Sequence, residues 1–136
     1  MTKQVLDAQQ MQHLQELGMK LDYDTLYRYV KFEDTDWLLK PFSDLNIIGI
    51  SFKYIPAYTL QDVLDALPKC VSKDGCTWAA SLYIDFENDR IAYGNTDRYG
   101  FEVYHEIMIE KDLIDAAYSM LCWAIENKFV ETNKNE

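Results

Sequence analysis

The segment at residues 113–127, LIDAAYSMLCWAIEN, sets Leu113, Ala116, Ala117, Met120, Leu121, Ala124 and Ile125 on one broad apolar face at helical spacing. A stripe of that width suits a helix lying across a sheet, and the adjacent alanines let the two backbones approach closely. The helix is predicted to start near Lys111 or Asp112. Asp112 and Asp115 then fall in its first turn, where the helix dipole favours negative charge.

Two more helices follow from their caps. Asp7 and Gln10 read as a capping box over 8–17, with Met11, Leu14 and Leu17 as a narrow stripe, Leu6 placed to staple onto Met11, and Gly18 as the left-handed stop. Thr59 and Asp62 form the clearest box in the chain. Tyr58 and Val63 are spaced for a staple, Leu60, Val63, Leu64 and Leu67 share a face, and Pro68 ends the helix.

Elsewhere the period is two. Leu26, Arg28, Val30 and Phe32 alternate with Tyr27, Tyr29 and Lys31, and a turn at 33–36 leads back through Trp37, Leu38 and Leu39, a hairpin pattern. Residues 46–54 read equally well as strand or loop, since Pro41, Ser43 and Asp44 precede them. Trp78, Ala80, Leu82, Ile84 and Phe86 alternate with smaller or polar neighbours, residues 87–90 turn, and 91–94 return. Residues 101–109 then offer a further strand with Phe101, Val103 and Ile107 directed inward. The expected architecture is α+β: one domain over 1–130, mostly antiparallel sheet with about three helices, the last packed on the sheet, and a polar tail at 131–136. Leu64, Leu82, Ile84, Leu121 and Ile125 are predicted to share a core.

At 136 residues the chain is long enough for one independent core. A net charge of −10, from 23 acidic and 13 basic residues, argues against direct contact with nucleic acid or an anionic membrane and favours a basic protein partner. The excess is densest over 85–115, with nine acids against Arg90, Arg98 and Lys111. The alternative reading is a purely solubilising surface. No segment approaches the ~20 apolar residues that span a bilayer. The N-terminus lacks a signal-peptide pattern, and Cys70, Cys76 and Cys122 are odd in number without close pairs, so a reducing cytoplasm is the expected setting.

Recognisable chemistry is missing. There is no glycine-rich phosphate loop, nucleophile elbow, zinc-protease motif or Cys-x-x-Cys, so no catalytic, cofactor or metal residue is assigned. Asp85, Glu87 and Asp89 open with the alternation of a calcium loop, but Arg90 stands where a turn glycine belongs and Thr96 where a bidentate Glu belongs. Cys70 and Cys76 are too far apart for structural zinc spacing. Neither His13 nor His105 lies in a catalytic pattern.

Tyrosine is in excess, with ten copies. Outer-face tyrosines pack across neighbouring strands, yet an acidic, tyrosine-rich sheet face also suits protein recognition. The candidate partner-binding residues are therefore Tyr83, Asp85, Glu87, Asp89, Glu102, Tyr104 and Glu106, which strand alternation could gather, with Glu110, partly on one side of a sheet.

The pair of segments PAYTLQDVLDALP (56–68) and LIDAAYSMLCWAIEN (113–127), preceded by MQHLQELG (11–18), resembles small uncharacterised acidic proteins encoded in bacterial phages, prophages and mobile elements. The order matches over most of the chain, although members often carry glycine where Lys128 stands. The resemblance implies an accessory protein and supplies no catalytic residue. The leading expectation is a non-enzymatic interaction protein. Alternatives are an acidic inhibitor that imitates DNA or masks a basic surface, favoured by a regular carboxylate array, and a small enzyme, favoured by a pocket gathering His105 or a cysteine with carboxylates.

Overall fold

Asp7 opens the first helix, α1 (Ala8–Glu16), with the capping box that its spacing from Gln10 implies. Its carboxylate accepts the Gln10 N–H at 2.8 Å, and the Gln10 side chain accepts the Asp7 N–H at 3.0 Å. Leu17 ends the helix, and Gly18 follows at φ +95°, where a glycine escapes the Cβ penalty. These observations come from a computed structural model that describes residues 3–32, 36–41, 52–72, 79–96 and 98–132.

Strands β1 (Tyr27–Phe32), β2 (Leu38–Pro41) and β3 (Phe52–Ala57) form an antiparallel sheet in the order β2-β1-β3. The hairpin signal is thus realised as β1 and β2. Of the ambiguous segment at 46–54, residues 52–54 are strand, while 46–51 lie outside the described residues. Pro56 is accommodated because β3 is a terminal strand of its sheet.

Helix α2 (Leu60–Ala66) follows directly, held by the Thr59–Asp62 box. A second antiparallel sheet then runs in chain order: β4 (Cys70–Ser72), β5 (Ala79–Asp85), β6 (Arg90–Thr96) and β7 (Glu102–Ile109). Helix α3 (Leu113–Glu126) packs across β6 and β7 and against α2. The α+β prediction holds: among the described residues there are three helices and two antiparallel sheets, with α3 on the larger one. Strand β4 carries only three residues, too few for a period to show.

One core joins these parts. Met11 and Leu14 of α1, Val63 and Leu67, Val71, Ala80, Ile91, Tyr93 and the whole apolar face of α3 are buried together. Leu6 and Met11 are fully buried there, as are Tyr58 and Val63, consistent with both staples. Leu121 and Ile125 lie inside it, whereas Leu64, Leu82 and Ile84 pack around it half-buried. Tyrosine hydroxyls tie backbone segments to this core. Tyr93 donates to the Pro68 carbonyl at 2.6 Å and Tyr29 to the Leu6 carbonyl at 2.7 Å, while Tyr58 accepts the Asp22 N–H at 2.7 Å. Burial pushes all three phenols above their ordinary pKa.

The last helix is anchored from the other end of the chain. Lys3 Nζ donates to Asp115 Oδ1 at 2.8 Å, and the Gln10 side-chain amide donates to the same oxygen at 2.9 Å. Past its C-cap at Asn127, Lys128 takes φ +65° and its N–H bonds the Ile125 carbonyl, while the Phe129 N–H reaches Ala124. Lysine therefore occupies the left-handed position that glycine usually fills. The chain remains paired as far as Thr132, which bridges Met19.

Several inward expectations need correction. Phe86 lies in the β5–β6 turn and is 67% exposed, because the strand has already ended at Asp85. In β7 the ladder runs Asn95↔Val103 and Gly94↔Tyr104, then Tyr93↔Glu106 and Ala92↔Ile107. β7 thus inserts His105, and a one-residue insertion reverses the faces that follow. Ile107 consequently shares the face of Ala92, away from α3. Val103 keeps the inner parity yet is 40% exposed, and Phe101 precedes the strand and is 70% exposed. Trp78 and Cys76 lie outside the described residues.

Candidate functional site

The face of the larger sheet turned away from α3 is built from pairs set by register. Directly opposed residues share a face. Ser81↔Gly94↔Tyr104, Tyr83↔Ala92↔Ile107 and Asp85↔Arg90↔Ile109 cross β5, β6 and β7 in turn. Tyr93, on the opposite face, stacks at a tilt on Trp123 of α3 with ring centroids 5.7 Å apart, which fixes the sidedness.

The central strand presents only small residues here. Ala92 and Gly94 leave a trough between the larger side chains of the flanking strands. Tyr83 and Tyr104 close over it edge to face, with centroids 6.3 Å apart at 87°. Ala92 is therefore buried although it lies on the outer face. A β-carbon on Gly94 would stand 2.6 Å from the Val103 carbonyl oxygen and 2.8 Å from the Tyr104 ring, so glycine is the residue that fits beneath Tyr104.

Arg90 completes the group. Its guanidinium lies 5.6 Å from the centre of the Tyr104 ring, and its Nη2 donates to Asp85 Oδ2 at 3.1 Å. The Tyr104 hydroxyl donates to the Glu102 carboxylate, a bond that raises the phenol pKa. A cleft of about 260 Å³ opens among Tyr83, Asp85, Phe86, Arg90, Glu102 and Tyr104.

Four of the residues singled out in the sequence, Tyr83, Asp85, Glu102 and Tyr104, therefore meet in one place. The others do not. Glu87 is exposed in the turn, and Asp89 holds its left-handed apex at φ +51°, a conformation that Asp tolerates better than most residues. Glu106 stands opposite Tyr93 on the α3 side because of the inserted His105. Asp85 is also committed. Its carboxylate accepts the Asn88 side chain at 2.9 Å, the Glu87 and Asn88 N–H groups at 3.2 and 3.3 Å, and Arg90. The Asn88 side-chain bond, with those backbone bonds and the Arg90 charge, lowers its pKa. It organises the turn, which the calcium-like spacing disguised.

Sequence reasoning passed over Arg90, Ala92 and Gly94. The available signal was the placement of two small residues two apart in a strand flanked by tyrosines, a pattern that needs the register to be read. Among the described residues, no cluster of three His, Cys, Asp or Glu side chains could hold a metal ion, and no helix is long and apolar enough to cross a membrane. His105 and the exposed Cys70 do not line this cleft. No family model, no curated protein and no solved structure matches this chain.

Proposed function

We propose that this is a non-enzymatic interaction protein, an accessory protein of phage or mobile-element origin working in the cytoplasm, that engages another protein through the outer face of β5–β7. The observation that carries the reading is the Tyr83–Tyr104 pair, closed over Ala92 and Gly94 and held by Arg90 and Glu102. Aromatic rings fixed before binding give contact area at small entropy cost, which is the character of interface hot spots. Phe86 and Ile109, both largely exposed, extend the apolar area at one end.

Charge supports a partner with basic character and no direct contact with nucleic acid. Asp85 and Arg90 neutralise one another, which leaves Glu87, Asp89 and Glu102 as the acidic border. The inhibitor reading draws less support, since the bulge separates Glu102 and Glu106 rather than arraying them.

A photoreactive residue at position 83 tests the proposal by crosslinking in cells of the encoding host. Partners captured there should lose affinity by about 30-fold or more for the Tyr83→Ser/Tyr104→Ser variant, as expected for two hot-spot aromatics. Unchanged affinity in a variant with native circular dichroism would remove this face as the binding surface.

A further inference from the structure

The smaller sheet holds a second cleft, independent of the face just described. It has a volume of about 550 Å³, within the range of small-molecule sites, and lies where α1 meets β3, with Gln12, Gln15, Tyr23, Trp37, Lys53 and Tyr54 along it. One wall is fixed in advance. Tyr23 and Tyr54 meet edge to face at 5.7 Å, Arg28 lies over the Tyr54 ring at 5.3 Å, and Arg28 Nη2 donates to the Tyr23 carbonyl at 2.9 Å.

Several polar side chains on this cleft have no partner among the described residues. Among the described residues the side chains of Gln12, Gln15, Trp37 and Lys53 make no hydrogen bond or ion pair. Residues bearing two carboxamides, an indole N–H and an ammonium group therefore line one aromatic cleft, with those donors uncommitted among the described residues.

Register supplies a separate argument. Lys53 stands directly opposite Lys31 in the β1–β3 ladder, on the face shared by Tyr29 and Ile55, which is the core side. Like charges directly opposed weaken a sheet. Lys31 likewise makes no ion pair among the described residues, in a chain with 23 acidic side chains against 13 basic ones. Nothing among the described residues offsets this pair, and an anion seated beside it would turn the repulsion into attraction.

We infer that this cleft binds a small molecule that joins a planar aromatic ring to an anionic group. The ring lies against Trp37 and the tyrosine wall, the anion meets Lys53 with Lys31 in support, and Gln12 and Gln15 bond polar atoms on the ring edge. A nucleoside monophosphate and an aromatic carboxylic acid both present this chemistry.

Calorimetric titration of the full chain with adenosine 5′-monophosphate, with indole-3-carboxylate, and with adenosine and inorganic phosphate as the separated halves decides the matter. At least one of the joined compounds should bind at least about tenfold more tightly than the halves. The nucleotide binding alone identifies a phosphate ligand, and the indole acid alone identifies a carboxylate. Lys53→Met should weaken binding by about tenfold or more, and Lys53→Arg should largely preserve it. Without ligand, Lys53→Met should melt at a higher temperature than the parent, which also establishes that it folds, and Gln15→Leu gives a second weakened variant. The inference fails if neither joined compound binds at about 10 mM, if phosphate alone binds as tightly as the nucleotide, or if Lys53→Met binds unchanged.

Discussion

Tyr104 stands directly opposite Gly94 in the β6–β7 ladder, and its ring occupies the space that a side chain on Gly94 would need. The second close neighbour of that space is the backbone carbonyl of Val103, which cannot rotate away. Gly94→Ala should therefore destabilise the fold by about 1–3 kcal/mol, measured by denaturant unfolding. Trimming Tyr104 to Ala in the same chain should restore only part of the loss.

Lys128 gives the opposite expectation. At φ +65° it bears the cost of a β-carbon in the left-handed region, roughly 1–2 kcal/mol. Lys128→Gly should raise stability by about 1 kcal/mol despite the added freedom of the unfolded chain. A drop in the urea midpoint would contradict the C-cap described above.

Leu121 is fully buried at the centre of α3. Leu121→Ala should cost about 2–5 kcal/mol. A change below about 0.5 kcal/mol, the range of ordinary surface substitutions, would mean that α3 does not dock on the sheet as described.

Asp115 links acid stability to the N-terminal segment. Partial burial alone would raise its pKa, but the hydrogen bonds from Lys3 and Gln10 and the Lys3 charge outweigh it, and the pKa is lowered. A lowered folded-state pKa adds stability above the unfolded value of about 3.9, and that contribution disappears as pH falls through the folded value. The pair is partly exposed, so the gain is about 1 kcal/mol or less. Asp115→Asn should be less stable than the parent at pH 7, and the two should converge towards pH 2, as followed by urea unfolding at each pH.

Electrostatic attraction to a basic partner should act through one side of the larger sheet only. Neutralising Glu87, Asp89 and Glu102 should slow association more than it speeds dissociation, and the effect should shrink with added salt. Glu106→Gln should leave association nearly unchanged, because Glu106 lies on the α3 side. Equal effects from both sets, read by stopped-flow or surface plasmon resonance, would assign the charge to general attraction rather than to a face.

The helices were legible because their information is local. Asp7 with Gln10 at α1, and Thr59 with Asp62 at α2, are each three residues apart, so spacing alone predicts the bonds observed. The wide stripe on α3 survives for the same reason. Strand faces depend on register, and the inserted His105 leaves no mark in the hydrophobic pattern, so Ile107 and Glu106 were assigned to the wrong sides. The candidate site was half visible: Tyr83 and Tyr104 stood out by type, while Arg90 reaches them only through the β5–β6 pairing. Lys31 and Lys53 are 22 positions apart in the chain and become neighbours only in the ladder.

The inserted residue in β7 also governs how molecules meet one another. β7 is the terminal strand of its sheet, the position from which sheets of separate molecules fuse into aggregates. The irregular ladder breaks the flat template that an incoming strand would need, and it turns a carboxylate, Glu106, towards the side where such a strand would have to pack its own apolar residues. Removing His105 would regularise that border with Glu106 still opposite Tyr93, leaving a straighter margin on which an incoming strand could pair. A single inserted residue is thus what interrupts the free edge of the larger sheet.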